Sequence, residues 1–218
     1  MRRRKTRSAE VLQRLRRQYP DAGTALDWSD PWQLLVSTIL SAQCTDTRVN
    51  QVTPGLFRRF PTPRSIAESR PGQIEAIIRP TGFFNNKAKS LRGAARAVLE
   101  RHDGQVPDTM KELLRLPGVA RKTANCVLGA AFGKNEGIVV DTHVGRLALR
   151  LGLTLSLDPV RTERDLMELF PRSEWTFVAH ALILHGRDTC RARKPRCETC
   201  LLADVCPRIG VALDAESG

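Results

Sequence analysis

The sequence predicts an all-α protein. Three observations predict it. Apolar residues recur at three- and four-residue spacing along most of the chain. Aromatic residues make up only 5% of it, where a β-sandwich or barrel would call for more Tyr, Phe and Trp and for frequent turn pairs. The β-branched run Ile138-Val139-Val140 is too short to build a sheet.

Each helix has a local reason. Residues 9–19 carry Val11, Leu12 and Leu15 and stop at Pro20. Asp30-Pro31 is a cap and first-turn pair that opens a helix over 31–43. A helix over 46–60 is disturbed at Pro54. Short helices over 65–68 and 72–78 lie between prolines. Residues 86–102 place Ala88, Leu91, Ala94, Ala95, Val98 and Leu99 on one face, and Asp103-Gly104 ends them. Thr109 caps a short helix that runs to 116, and 120–132 form a strongly apolar helix ending before Gly133. Helices over 141–151, 159–170 and 173–185 complete the series. Residues 208–218 lack periodicity and read as a loose tail. No repeat of fixed period is present.

The chain has 218 residues, enough for one large domain or two small ones, each with a real core. Charged residues at 27% beside hydrophobics at 41% exclude a disordered chain. The longest apolar stretch, around 34–40, is too short to span a bilayer and holds Ser37 and Thr38, so a transmembrane protein is excluded. The basic start (Arg2, Arg3, Arg4, Lys5, Arg7) is followed by no apolar segment, so no secretory signal is expected. Lys plus Arg number 35 against 23 Asp plus Glu, a net charge of +12. Solubility alone accounts for such a charge. A polyanionic partner accounts for it equally well, because Lys and Arg gain affinity by releasing counterions from phosphates.

Cys44 and Cys126 stand alone, but Cys190-x6-Cys197-x2-Cys200-x5-Cys206 is a compact cluster. Four thiolates suit tetrahedral zinc or an iron–sulfur cluster. Zinc ribbons pair two close Cys-x2-Cys knuckles, whereas one close pair in one tight loop favours the cluster over zinc, with a disulfide framework third. Arg191, Arg193, Lys194 and Arg196 lie between the first two cysteines. A charge run is usually a solvated face, but a loop pinned at both ends loses less entropy on meeting phosphates.

Pro117-Gly118 separates two helices with no room for a long loop. Such a turn is either an ordinary αα-hairpin or a phosphate site built from backbone N–H groups at the start of the second helix. Lys122 lies one turn into that helix, among Ala120, Ala124, Cys126, Val127 and Leu128. An amine against an apolar wall near a helix N-terminus suits a nucleophile, and the plain alternative is a snorkelling surface lysine. Asp141, in Val140-Asp141-Thr142-His143, is a helix N-cap, a catalytic carboxylate or both. His143 reads as structural.

Together these motifs resemble the endonuclease III family, the bifunctional DNA glycosylase and abasic-site lyase branch of the helix-hairpin-helix superfamily. The resemblance rests on residues 116–124 (Leu-Pro-Gly-Val-Ala-Arg-Lys-Thr-Ala), residues 140–143 and the four-cysteine spacing. Residues 40–46 (Leu-Ser-Ala-Gln-Cys-Thr-Asp) and 82–88 (Gly-Phe-Phe-Asn-Asn-Lys-Ala) add to it, and it extends over about residues 8–207. It implies two helical domains with a DNA cleft between them. One is a six-helix barrel over 24–135, with the hairpin at about 109–130. The other joins 1–23 to 136–207 and holds a [4Fe–4S] cluster on Cys190, Cys197, Cys200 and Cys206. In the family that cluster supports the fold and its basic loop and is not the hydrolytic catalyst.

The resemblance also implies the chemistry. Lys122 matches the catalytic lysine and Asp141 the catalytic aspartate. Gln43 fills the gap left by a flipped base, and Phe83 is the wedge. Leu116, Pro117, Gly118, Val119, Ala120 and Arg121 form the hairpin contact with DNA, with Arg191, Arg193 and Lys194 as further contacts. The implied activity is removal of oxidised pyrimidines from double-stranded DNA and cleavage 3′ to the abasic site through a Lys122 Schiff base, as base excision repair. A monomer, cytoplasmic and associated with the nucleoid through DNA, is expected.

Three positions depart from the family pattern. Ala120 stands where Gly is common, Phe83 where Leu is usual, and Cys44 where Ala or Thr is more common; Cys44 reads as core packing. An adenine glycosylase of the same superfamily is the nearest rival. It carries a catalytic Glu on the helix that begins at Pro31 and lacks the lysine, whereas no Glu lies between Asp30 and Asp46 here and Lys122 is present. The lysine also argues against a thymine-mismatch glycosylase. A non-catalytic DNA-binding module with a structural metal explains the charge, hairpin and cysteines but not Lys122 with Asp141.

Overall fold

The computed structural model describes residues 2–211, and the side chains of 3–211. Among these residues there are eleven α-helices and two 3-10 turns and no strand. The chain divides into two compact units, Thr24–Glu136 and Met1–Gly23 with Gly137–Gly218.

The first unit is built around α2 (Pro31–Leu40), which is buried on nearly every side from Trp32 to Leu40. A helix apolar all round belongs inside a core. Asp30 caps it, with Oδ1 accepting from the Gln33 N–H at 2.9 Å, and Pro31 fills the first turn. It ends three residues earlier than predicted because Gln43 adopts φ 53° and Ser41 accepts the Cys44 N–H, closing a turn.

The unit's other helices are α3 (Asp46–Arg59), α4 (Pro63–Ala67), α5 (Gln73–Ile78), α6 (Phe84–Arg101), α7 (Met110–Leu113) and α8 (Arg121–Phe132); α3, α6 and α8 pack on α2, α4 and α5 on α6, and α7 on α8. Helix α3 runs through Pro54, because its buried residues Val49, Val52, Thr53 and Leu56 anchor both sides of the missing hydrogen bond. The 3-10 turn Arg79–Thr81 leads into α6, which begins two residues earlier than predicted, at Phe84. It ends where Asp103 (φ 51°) and Gly104 (φ 80°) turn left-handed and the Gly104 N–H reaches Val98 O at 3.1 Å.

The second unit contains α1 (Arg2–Gln18), α9 (Thr142–Arg150), α10 (Pro159–Leu169) and α11 (Trp175–Asp188). Val11, Leu15, Val144, Leu147, Leu166, Val178 and Leu182 are among its fully buried apolar residues. Helix α1 begins at Arg2, seven residues before the predicted start. Arg is a good helix former, and Arg7 Nη1 donates to Leu151 O at 3.1 Å while Ser8 Oγ donates to Leu169 O at 3.1 Å. The basic N-terminal stretch is therefore a docked helix.

Residues 138–140 form no strand; Ile138 and Val139 are buried without a ladder partner. The predicted loose tail is corrected at its start. The Ile209 N–H donates to Arg150 O at 3.2 Å and the Arg208 N–H to Cys206 Sγ at 3.4 Å, which fixes 208–211. The rest of that tail, 212–218, lies outside the described residues.

Candidate active site and metal centre

The hairpin is pinned from below. Leu116 and Val119 are buried, 3% and 7% exposed, so their side chains hold the turn and leave only backbone to face a ligand. Gly118 lies at φ +80°, and a Cβ there would come within 2.6 Å of Ser90 Cβ and 2.9 Å of Ser90 Oγ on α6. One turn along α6, a Cβ on Gly93 would stand 3.0 Å from Pro117. Two small positions on α6 thus let the hairpin backbone seat directly on that helix. Ala120 is the N-cap of α8 with φ −93° and ψ 170°, extended backbone open to any residue, and it is exposed. Its methyl causes no strain where the family commonly has Gly. It also provides no capping side chain to the first turn of α8.

Lys122 is the second residue of α8, and it is exposed. The buried face of the helix is Ala124, Asn125, Val127 and Leu128. The sequence placed the amine against that apolar wall; the structure corrects this, because position 122 falls on the opposite arc. Cys126, one turn on, receives the Thr38 Oγ1 hydrogen at 3.9 Å, and burial pushes its thiol up.

Two further expected DNA contacts share this unit. Gln43 (φ 53°) and Phe83 (φ 47°) are both exposed and both hold left-handed backbone without being glycine. Phe83 is 64% exposed, the reverse of what an aromatic ring seeks in water. Cys44 packs against the core of the unit, as its sequence reading had it.

The second unit holds Asp141 and the four cysteines. Asp141 is the N-cap of α9: its Oδ1 accepts from the N–H groups of His143 and Val144, each at 2.8 Å. The cap and the catalytic readings are therefore compatible, since one oxygen makes both cap bonds. His143 Nδ1 lies 3.2 Å from Arg146 Nη2, a structural partner.

Cys190, Cys197, Cys200 and Cys206 are all half-buried, and none is in a disulfide. They line one cavity with Leu147, Leu151 and Leu202. Among the described residues no three His, Cys, Asp or Glu side chains converge on a position for a single ion. Four thiolate donors round a largely apolar cavity suit the ligand chemistry of an iron–sulfur cluster. Backbone N–H groups of Leu202 and Arg208 point at Cys200 Sγ and Cys206 Sγ, each at 3.4 Å.

Sequence reasoning missed two neighbours of these sulfurs. Buried Arg150 donates from Nη1 to Cys190 Sγ at 3.4 Å and to Arg191 O at 2.7 Å, fastening the basic loop. His185 Nε2 lies 3.4 Å from Cys200 Sγ, and burial lowers this histidine to about 4. Neither has a local signal; each acts across more than ten residues of sequence. The loop residues Arg191, Arg193 and Lys194 are exposed, Lys194 at φ 49°.

Comparisons with known proteins agree with this architecture. Residues 36–172 match the model of the HhH-GPD superfamily base excision DNA repair proteins, and residues 190–206 that of the iron–sulfur binding domain of endonuclease III. The chain is 55% identical over 203 residues to endonuclease III of Synechocystis sp. (strain ATCC 27184 / PCC 6803 / Kazusa), covering 93% of each. It superposes with a TM-score of 0.88 at 37% identity on a solved non-covalent endonuclease III–DNA complex, covering 94% of this chain and 95% of that one. A trapped endonuclease III–DNA covalent intermediate gives the same score and identity, covering 94% and 96%.

Proposed function

Because the chain belongs to the endonuclease III family of the HhH-GPD base excision repair proteins, we propose that it is a bifunctional DNA glycosylase and abasic-site lyase acting through Lys122. The observation that carries this is the exposed Lys122 in the first turn of α8, directly after a hairpin whose backbone is bared by Gly118 and Ala120. The hairpin grips a phosphate through backbone N–H groups, and the amine reaches the sugar beside it.

A damaged pyrimidine inside the stack is out of reach, so it is flipped out. Gln43 occupies the vacated position and Phe83 wedges the duplex. Lys122 Nζ bonds to C1′ as the bond from C1′ to the base breaks, and the base leaves with the electron pair and takes up a proton. Opening of the sugar ring yields a protonated Schiff base. This acidifies C2′; loss of a C2′ proton expels the 3′ phosphate and breaks the strand. Asp141 serves as a fixed negative charge opposite the positive charge that develops on the sugar, its carboxylate oriented by the two cap bonds on Oδ1.

Cys190, Cys197, Cys200 and Cys206 hold a [4Fe–4S] cluster, whose contribution is to fold and brace the loop carrying Arg191, Arg193 and Lys194. The substrate class is double-stranded DNA bearing oxidised pyrimidines or abasic sites. Among the described residues no helix is long and apolar enough to cross a membrane.

The test is borohydride trapping on a duplex carrying thymine glycol, with Lys122→Gln in parallel. A covalent protein–DNA band that the variant lacks is expected. No band on thymine glycol or on an abasic duplex would refute the bifunctional mechanism.

A further inference from the structure

Lys87 is buried, 5% exposed, on the first turn of α6. Among the described residues its ammonium pairs with no carboxylate; Nζ donates to Leu40 O at 2.8 Å and to Thr81 O at 2.8 Å. Leu40 is the last residue of α2, and Thr81 the last of the 3-10 turn that precedes α6. Carbonyls at helix ends lack intrahelical donors and carry partial negative charge, so one cation meets two such ends at once. The Lys87 backbone N–H also donates to Phe83 O at 3.0 Å.

These two carbonyls are the roots of two loops. Gln43 lies three residues beyond Leu40, and Phe83 two beyond Thr81. Both loops pass through left-handed backbone at a residue other than glycine, φ 53° and φ 47°. Such conformations persist only where the surroundings over-determine them.

We propose that Lys87 is a positioning residue for excision: by clasping Leu40 O and Thr81 O it sets the separation of Gln43 and Phe83, so that both side chains enter the duplex together. This rests on the reading that Gln43 and Phe83 are inserted into DNA. Lys87 itself touches no substrate. Burial holds its ammonium below the ordinary lysine value, with Cys44 opposing the shift. A desolvated ammonium is a costly fastening, and it persists here because both carbonyls satisfy it. A methylene chain of the same length would fill the space and leave the two loops unjoined.

The experiment measures single-turnover excision from a thymine-glycol duplex for Gln43→Ala, Phe83→Ala, Lys87→Met and the doubles, beside borohydride trapping on a single-stranded abasic oligonucleotide, which requires no insertion. Lys87→Met should lower duplex excision at least about tenfold, keep single-strand trapping within about twofold, and add little to the loss already caused by Phe83→Ala. A merely structural role would lower both activities and combine additively with Phe83→Ala, which would overturn the proposal. Normal duplex excision by Lys87→Met, while Gln43→Ala and Phe83→Ala are impaired, overturns it too and leaves the insertion reading standing. If neither Gln43→Ala nor Phe83→Ala is impaired, the insertion reading and the proposal fall together. Should Lys87→Met fail to fold, Lys87→Arg is read in its place: the charge is kept but the wider planar group spreads the loops. Reduced duplex excision with intact single-strand trapping then supports the clasp, and wild-type excision refutes it.

Discussion

A Cβ on Gly118 would lie 2.6 Å from the Cβ of Ser90, closer than unbonded carbons approach. The hairpin and α6 therefore share one surface with no clearance. Gly118→Ala adds this overlap to the cost of a left-handed backbone at φ +80°, about 1–2 kcal/mol on its own. A drop in melting temperature and a loss of DNA affinity of about tenfold or more are expected. Ser90→Gly in the same chain removes both of the close atoms and should restore part of each loss, read by thermal denaturation and by titration of a fluorescent duplex.

Ala120 leaves the first turn of α8 without a side-chain cap. Ala120→Asp supplies one and should stabilise the fold by about 1 kcal/mol. The same carboxylate claims the backbone N–H groups offered to phosphate and repels it. Stability and DNA affinity should therefore move in opposite directions, the melting temperature up by a few degrees and binding to any duplex down. Parallel movement of the two would show that the α8 terminus does not meet phosphate.

Lys122 is exposed and lies off the buried face of α8, so Lys122→Gln should leave the melting temperature nearly unchanged. Excision and strand cleavage should fall by about a thousandfold or more, because the nucleophile itself is lost. Duplex binding should weaken only slightly, measured by anisotropy at fixed salt.

Glu75 receives Arg92 Nη2 on both carboxylate oxygens, at 2.8 and 2.7 Å, and the Gly72 N–H at 2.9 Å. Burial by itself raises this carboxyl, but the Arg92 bonds prevail and hold it below its ordinary value of 4.5. A carboxyl lowered on folding contributes stability that is fully present above the unfolded value and is lost as pH falls through the folded one. Glu75→Gln should thus be less stable than the parent at pH 7, by about 1–3 kcal/mol. The two melting temperatures should converge below pH 4, as followed by circular dichroism. An equal gap at both pH values would remove the ion pair as its cause.

Stripping the cluster should unfold the cysteine loop, since ligation free energy is folding free energy in such a wrap. Cys200→Ala should abolish the brown colour and the broad visible absorbance, and iron analysis of the parent protein should give about four atoms per chain. One zinc and no colour would refute the cofactor assignment.

Local chemistry was legible in the sequence. Asp30-Pro31, the Asp141 cap and the Gly133 stop each act over about one turn of helix, and the structure places them where spacing put them. Features set by distant partners were not. The extension of α1 to Arg2 depends on Arg7 meeting Leu151 O, 144 residues away. Lys87 looks like any surface lysine until Leu40 O, 47 residues away, is brought to it. Lys122 was read from its apolar neighbours in sequence, but a helix turns 100° per residue, and that rotation carries it to the solvent side. The extended run 138–140 carried strand propensity without a strand to pair with, and propensity alone makes no ladder.

The unit spanning 24–136 interrupts the other one, whose two pieces are 1–23 and 137–218. During synthesis α1 leaves the ribosome ahead of the inserted unit yet has no docking site until α9 to α11 follow. At about 5–20 residues per second the intervening segment takes roughly ten seconds. For that interval Val11 and Leu15, both fully buried in the finished protein, face water on a cationic amphipathic helix. The inserted unit has all its residues in one stretch and can form during the wait. The newborn chain thus acquires its hairpin and Lys122 before it can complete the part that holds Asp141 and the cysteines.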